Sequence, residues 1–512
     1  MHRWHKLSTL LLLLPSLASA QLNHIETAAQ LLSQGQVQQA ESEARLALDN
    51  PATRPLGLAL LGTIRLQEGK YDESTTLLTQ ALALNPRLVG ARTTLGNSYL
   101  LQGKPDSARK SFQEALRLDP TNFNARLDLA KVEASLHNYQ QSLAVVAPIA
   151  KQLRDSDEGL LLLATDYGSL GKKEALKALV PSWERLPAPP DESSVEFGNT
   201  LALFGLTIEA RKILEAVETK TTANPSQPIA LQLAQSYLSL GILDRAEQNF
   251  QRSLALNAAC APCEQGLAQI AEQQGDTEKA LAHLIAAKRQ APEDPEILFQ
   301  FGKICLQRNL PDDALPALTK AVQLKPDQDS YVYVLASANV AKNHLPEAAS
   351  LFSQLLQKHP QDAVVKYSLG AVDFLQGNYD QAESSLKQSL KIQPDQVAAS
   401  YYLALTYNAV GQDAQSIIVF RELLHRHPDH APSYVKLGSI LASQHQYDQA
   451  QPLLERAVAL DPKSVQAHYQ LGLLLRRVGK TEESDTHLAE SRKLEAERSS
   501  QTDLKLRLLL PD

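Results

Sequence analysis

Residues 363–396 read AVVKYSLGAVDFLQGNYDQAESSLKQSLKIQPDQ, and the spacing of their apolar residues predicts two helices. Val364, Tyr367, Ala371 and Phe374 recur at helical intervals until Gly377 ends the run. A second run carries Ala382, Leu386 and Leu390 and halts at Pro394. Gly370 and Ala382 are small residues inside helices, where two backbones are expected to approach closely. Such a hairpin has an apolar face on each side and cannot bury both alone. Stacking against copies of itself does so.

The copies are present. Steps of 34 residues from Gly370 reach Ala404, Gly438 and Gly472 in one direction and Ala336, Gly302, Ala268 and Ala234 in the other. Beyond a two-residue insertion before Gln227 the register resumes at Gly198, Ala164, Ala130, Gly96, Gly62 and Ala28. All fourteen are Ala or Gly, which chance does not produce. The position of Ala382 is Ala or Ser everywhere except Leu176. The turn position of Gly377 is Gly in ten units and His137, Asn309, Asn343 or His445 in the rest. A helix ending in the left-handed conformation favours Gly, then the residues that tolerate positive φ.

Leu369-Gly370, Gly377-x-Tyr379, Ala382 and Pro394 resemble the tetratricopeptide repeat pattern. The resemblance implies an all-α fold, a right-handed α-solenoid (superhelix) of about fourteen 34-residue helix-turn-helix repeats running from Gln21 to near Arg498. It says little about the partner, because this architecture hosts many.

Met1 to Ala20 has a basic start at Arg3 and Lys6, an apolar run from Leu10 to Leu14, and Ala18-Ser19-Ala20 as a cleavage site. That pattern is a secretory signal peptide, too short for a membrane span. Export to the periplasm or outside the cell is expected, with no membrane span after cleavage. At 44% hydrophobic and 21% charged residues the chain can bury a continuous core. Its net charge of −7 becomes −9 once Arg3 and Lys6 leave, the wrong sign for a nucleic-acid binder.

The expected organisation is a leader at 1–20, an N-terminal array at 21–190, a C-terminal array at 191–498 and a tail at 499–512. Pro148 should bend the second helix of unit four. Unit five, 157–190, is degenerate: its second helix contains Pro181 and runs into Pro187-Ala188-Pro189-Pro190. Residues 181–192 then read either as a break that acts as a hinge or as a local kink in a continuous stack. The insertion between Thr221 and Ser226 should loosen the next boundary, whereas the stretch from Gln227 to Val465 keeps its repeat length. In the last unit Ser484 and Ser491 replace Ala and the stretch after Glu482 is charged, as suits a cap. The tail TDLKLRLLLPD, 502–512, reads as a segment docked on that cap or as a partner-binding tail.

Cys260-Ala-Pro-Cys263 precedes the first helix of unit eight. A disulfide-redox enzyme would need a strand before it, and helices surround it here, so a structural disulfide or free thiols are expected. Cys305 falls at a packing position. His425, His427 and His430 cluster at the end of unit twelve, but capping of a helix C-terminus accounts for them more simply than a metal does. No nucleophile elbow, phosphate-cradling loop or paired-carboxylate motif is present, and the repeats use up the residues a catalytic domain would need. No enzyme activity, cofactor or metal is expected.

In arrays of the family it resembles, the first helices line a concave groove and their fifth position faces it. That position holds Phe299, Tyr333, Tyr367, Tyr401, Val435 and Tyr469 in units nine to fourteen, but no aromatic earlier. Gln265 and Gln269 of unit eight add a polar patch able to meet backbone amides. Tyrosine offers flat apolar area with a polar tip, which suits an extended peptide or a sugar face. It suits packing between neighbouring units equally well. The expected function is a non-catalytic scaffold that binds an extended segment of a partner protein; glycan binding and a purely structural spacer are the alternatives.

Overall fold

The computed structural model describes residues 19–509, with side chains for 24–497. The leader expected at 1–20 therefore lies outside the described residues, apart from Ser19 and Ala20 at the start of the first helix. So do the side chains of the tail, although the last helix, Thr481–Leu509, runs into it. The described residues are helical and contain no strand. The chain falls into two compact units, Met1–Ala259 and Cys260–Asp512.

The repeat register places the helices. First helices begin at Asp191, then at Gln227, Ala261, Pro295, Asp329, Ala363, Val397, Ala431 and Val465. Side chains just ahead of them fix several of these starts. The Asp362 carboxylate accepts from the backbone N–H groups of Val364 and Val365 at 2.8 and 2.9 Å, and Asp294 and Ser464 act alike. Each turn then reverses through a left-handed residue. Gly377 has φ of 81°, and Asn378 N–H donates to Asp373 C=O at 2.8 Å, satisfying an end carbonyl of the helix. His137, Asn309, Asn343 and His445 adopt φ between 58° and 62° at the same place.

The small residue of the first helix makes room for a large one of the second. A methyl group at Gly96 would lie 2.5 Å from the Phe112 ring, and one at Gly370 would lie 2.8 Å from Leu386. The close approach is therefore backbone to side chain at this position, not backbone to backbone as the sequence suggested. At the equivalent place in their own units Leu78, Phe112, Val146, Leu214, Phe250, Leu284, Leu318, Phe352, Leu386, Phe420 and Leu454 are each no more than 2% exposed. Burying each such side chain contributes about 1.5–3 kcal/mol. Ser is tolerated in place of the Ala382-type residue because its hydroxyl finds a carbonyl: Ser74 donates to Gly62, Ser416 to Ala404 and Ser484 to Gly472, each at 2.7 Å.

Polar pairs at a sequence separation of 24 tie units one to five in succession, and unit eleven to unit twelve. Arg65 makes two hydrogen bonds to Glu41, and Arg109 makes two to Glu133, which is 4% exposed. Ser74 meets Ser98 at 2.7 Å, and Tyr407 donates to Glu383 at 3.2 Å. Ser142 donates to Asp166 at 2.6 Å. Asp166 is fully buried and its Oδ1 has no hydrogen-bond partner. Burial pushes its carboxyl up to about 7, against the Ser142 hydrogen bond, which lowers it.

Units four and five depart from the pattern where prolines fall late in a second helix. Pro148 interrupts unit four with a 3-10 turn, Ala147–Ile149, between Tyr139–Val146 and Ala150–Leu153. Pro181 splits unit five into Lys173–Lys177 and Val180–Glu184. Ala188, between two prolines, takes φ of 48°. The apolar core nevertheless runs through this stretch: Leu153, Leu163, Leu176, Leu179 and Trp183 pack with Phe197 and Leu201. Trp183 stacks on Phe197 with ring centroids 4.1 Å apart.

The insertion before Gln227 lengthens a helix rather than loosening a boundary. Thr207–Ala223 is the long helix, and its buried Glu218 accepts hydrogen bonds from Tyr237, Arg245 and Asn249 of unit seven.

Candidate binding surface

All the residues singled out from the sequence as a binding ladder lie in the Cys260–Asp512 unit, on successive first helices. Phe299 sits on Pro295–Gln307, Tyr333 on Asp329–Ala341, Tyr367 on Ala363–Gln376, Tyr401 on Val397–Ala409 and Tyr469 on Val465–Arg477. One such position per repeat brings them onto equivalent places of neighbouring units. They are not equally open. Phe299, Tyr333, Tyr367 and Tyr401 are half-buried, Val435 is buried, and Tyr469 is 47% exposed.

The half-buried rings have partners. Phe299 stacks on Tyr331 with centroids 4.4 Å apart. Tyr333 meets Phe352 edge-on, and its hydroxyl lies 3.0 Å from Ser368 Oγ on the next unit. Tyr401 sits edge-on to Phe420, Tyr402 and His430. The Tyr367 hydroxyl is held above the ordinary tyrosine range by burial, with the Tyr333 and Tyr402 hydroxyls adding to it. Each ring therefore contributes packing between repeats and leaves part of its area outside.

Sequence reasoning missed two members of this surface. Phe374 lies edge-on to Tyr402 with centroids 5.7 Å apart, so aromatic area continues between the Tyr367 and Tyr401 positions. The signal was available: Phe374 lies two helical turns after Tyr367, and Tyr402 directly follows Tyr401. Gln265 is half-buried and Gln269 exposed, both on Ala261–Gln273, and Lys303 pairs with Glu272 beside them at 2.7 Å. The surface carries flat apolar area, phenolic hydroxyls and side-chain amides. Such groups are suited to contact with an extended chain or a sugar face.

Cys260 and Cys263 are joined by a disulfide and buried at the start of Ala261–Gln273. The Cys305 thiol is buried, which pushes it up to about 12, well away from reactive thiolate behaviour. The three clustered histidines do not converge. His427 pairs with Asp395 at 3.0 Å, His430 meets Ser433 at 2.7 Å, and His425 is exposed. Among the described residues no three His, Cys, Asp or Glu side chains converge in a way that would hold a metal ion. A cavity of about 230 Å³ opens beside His427, floored by Leu390, Val397, Leu403 and Val419. It has room for one side chain.

Two family profiles, both described as tetratricopeptide repeat, match the chain. One matches residues 99–165, 306–371 and 373–439, and the other residues 59–123, 231–295, 263–331 and 435–484. No curated protein matches. Solved structures are similar in fold. The Cut9–Hcn1 hetero-tetramer of the APC/C is 14% identical with a TM-score of 0.45, over 90% of this chain and 97% of that one. Yeast Tom70 is 15% identical with a TM-score of 0.34, over 96% and 99%. YrrB, described as a tetratricopeptide protein with an unusual peptide-binding site, is 22% identical with a TM-score of 0.35, over 36% of this chain and 96% of that one.

Proposed function

The chain belongs to the tetratricopeptide repeat family, whose repeats support a role as a protein–protein interaction scaffold, and from that premise we propose that it holds an extended segment of a partner protein along the first helices of the Cys260–Asp512 unit. The observation that carries this reading is the aromatic surface of Phe299, Tyr333, Tyr367, Phe374, Tyr401, Tyr402 and Tyr469, present in units nine to twelve and again in fourteen, with Gln265 and Gln269 at one end and a gap at the buried Val435 of unit thirteen. Rings fixed by packing lose little entropy on binding, so the area they leave open is an efficient anchor. The side-chain amides and phenol tips then pair with the backbone of the bound segment. Binding of this kind needs no reaction and no cofactor.

We place the protein outside the cytoplasm, in the periplasm or the medium. The sequence of residues 1–20 supports that, and so does a disulfide between Cys260 and Cys263, which persists in oxidising compartments. Among the described residues no helix is long and apolar enough to cross a membrane.

The test is a crosslinking capture from envelope extract with two baits. One is the wild-type protein and the other carries Tyr333→Phe, Tyr367→Phe, Tyr401→Phe and Tyr469→Ala. Phenylalanine keeps the packed rings and removes only their hydroxyls, so the fold is spared. A protein held by the first bait and lost from the second identifies the surface and its client. Equal capture by both means that neither the phenol hydroxyls nor the Tyr469 ring holds the client. Oligosaccharide bound without any captured protein would favour a glycan ligand, and nothing bound would favour a spacer.

A further inference from the structure

The final two helices meet through a pair of histidines whose nitrogens point at each other. His468 on Val465–Arg477 is 7% exposed, and its Nδ1 lies 3.0 Å from Nδ1 of His487 on Thr481–Leu509. The other nitrogen of His468, Nε2, lies 3.1 Å from the Pro462 carbonyl oxygen. A carbonyl only accepts, so His468 carries its proton on Nε2 and offers a lone pair at Nδ1. His487 must then donate from Nδ1. The pair sits in the middle of the contact, between Ser484, which donates to Gly472 C=O, and Ser491, which donates to Val465 C=O.

We propose that this pair makes the last helix an acid-released cap. The two protons that the pair can gain have opposite effects. A first proton goes to Nε2 of His487 and leaves the Nδ1–H···Nδ1 bond in place, strengthened by charge. A second has only Nδ1 of His468 left to occupy, and two N–H groups then face each other in a space built for one. The contact between the helices must open. Release uncovers Leu471, Leu474 and Leu475, each now no more than 2% exposed, as the bare apolar end of the array.

The surroundings set the direction. Burial first, and then the facing His468, hold His487 below the ordinary histidine range, while Glu483 on its own helix and Glu455 on Tyr447–Leu460 act the other way. The neighbouring helix Ala431–Ser443 brings one charged residue, Lys436, and no carboxylate to compensate a second proton. His487 therefore takes up its proton in the fold only below the ordinary histidine range, and the contact is lost as the pH falls far enough to add the second proton.

The experiment is amide hydrogen exchange on the full chain between pH 7.5 and 4.5, corrected for the intrinsic pH dependence of exchange. In the wild type, protection of residues 481–497 should fall by about tenfold for each pH unit below the second protonation step. H487N keeps a donor at the Nδ1 position and can turn its carbonyl towards a charged His468, so its protection should stay flat. H425N, at an exposed histidine, should behave as the wild type. A wild-type cap whose protection does not change with pH overturns the proposal, as does an H487N cap that opens equally. Nitrogen-15 spectra of the histidines in the wild type give a reading that needs no variant. Two histidines should titrate as a coupled pair in two steps, and independent titration of both at the ordinary value would also overturn it.

Discussion

The second helices of unit five and unit eleven occupy the same place in the repeat, and they are held together by different means. Tyr379–Ile392 is one uninterrupted helix whose Leu386 fills the space left by Gly370. In unit five the corresponding length is two short helices, and Leu176 stands where Ala382 stands in unit eleven. What unit five lacks in backbone hydrogen bonds it recovers in bulk, through Leu176, Leu179 and Trp183 packed against the next unit. A repeat can therefore lose its secondary-structure pattern and keep its place, provided the apolar column is refilled. The prolines teach the same lesson. Pro316 and Pro452, each the sixth residue of its second helix, lie inside helices that remain whole. Pro148 and Pro181 fall past the middle, and there the helix divides.

The largest effect expected from this comparison is at Trp183. Trp183→Ala should cost about 3–5 kcal/mol, as removal of a buried tryptophan does. The check is the midpoint of urea unfolding by circular dichroism, together with proteolysis at 185–190. A hinge at 181–192 would tolerate the change, so an unaltered midpoint would support a hinge there.

Asp166 comes next. Its carboxyl is raised in the fold above its unfolded value, so the stability it permits is full below about pH 4. That stability declines as the pH rises through about 7. Asp166→Asn should flatten this decline and give a higher unfolding midpoint than the wild type at pH 8, a gain on the order of a few kcal/mol. Trp183 fluorescence reports it directly, since the only other tryptophan is Trp4. A wild-type profile that is already flat would mean the carboxyl is ionised and solvated.

The regular unit should respond more mildly. Gly377→Val places a β-branched residue at positive φ and should cost about 1–2 kcal/mol, measured by thermal unfolding, with Gly377→Asn costing less. The smallest effect is at Tyr469, where Tyr469→Ala should change stability by less than about 0.5 kcal/mol while lowering the affinity for any captured partner.

The sequence carried the register unusually well. The helix starts at Gln227, Ala261 and their successors, and the positive φ at His137, Asn309, Asn343 and His445, follow from a pattern repeated along one chain. A repeat averages out local ambiguity, so each boundary is read many times. What stayed hidden depends on contacts between units. Nothing local to Arg109 says that it reaches Glu133, and nothing in Tyr401 says how far Phe420 and His430 cover its ring. The candidate surface was legible as positions, and its depth was not.

The polar pairs give the chain something its helices lack, a way to tell one neighbour from another. Every hairpin offers much the same apolar face, so by shape alone many could sit side by side in any order. Exchange the third and fourth units and each keeps that face. Glu133, however, would lose the Arg109 guanidinium and keep only the Asn138 amide of its own unit, a buried carboxylate without its cation. The order of the units is written into the fold as a series of electrostatic addresses, each valid at one junction.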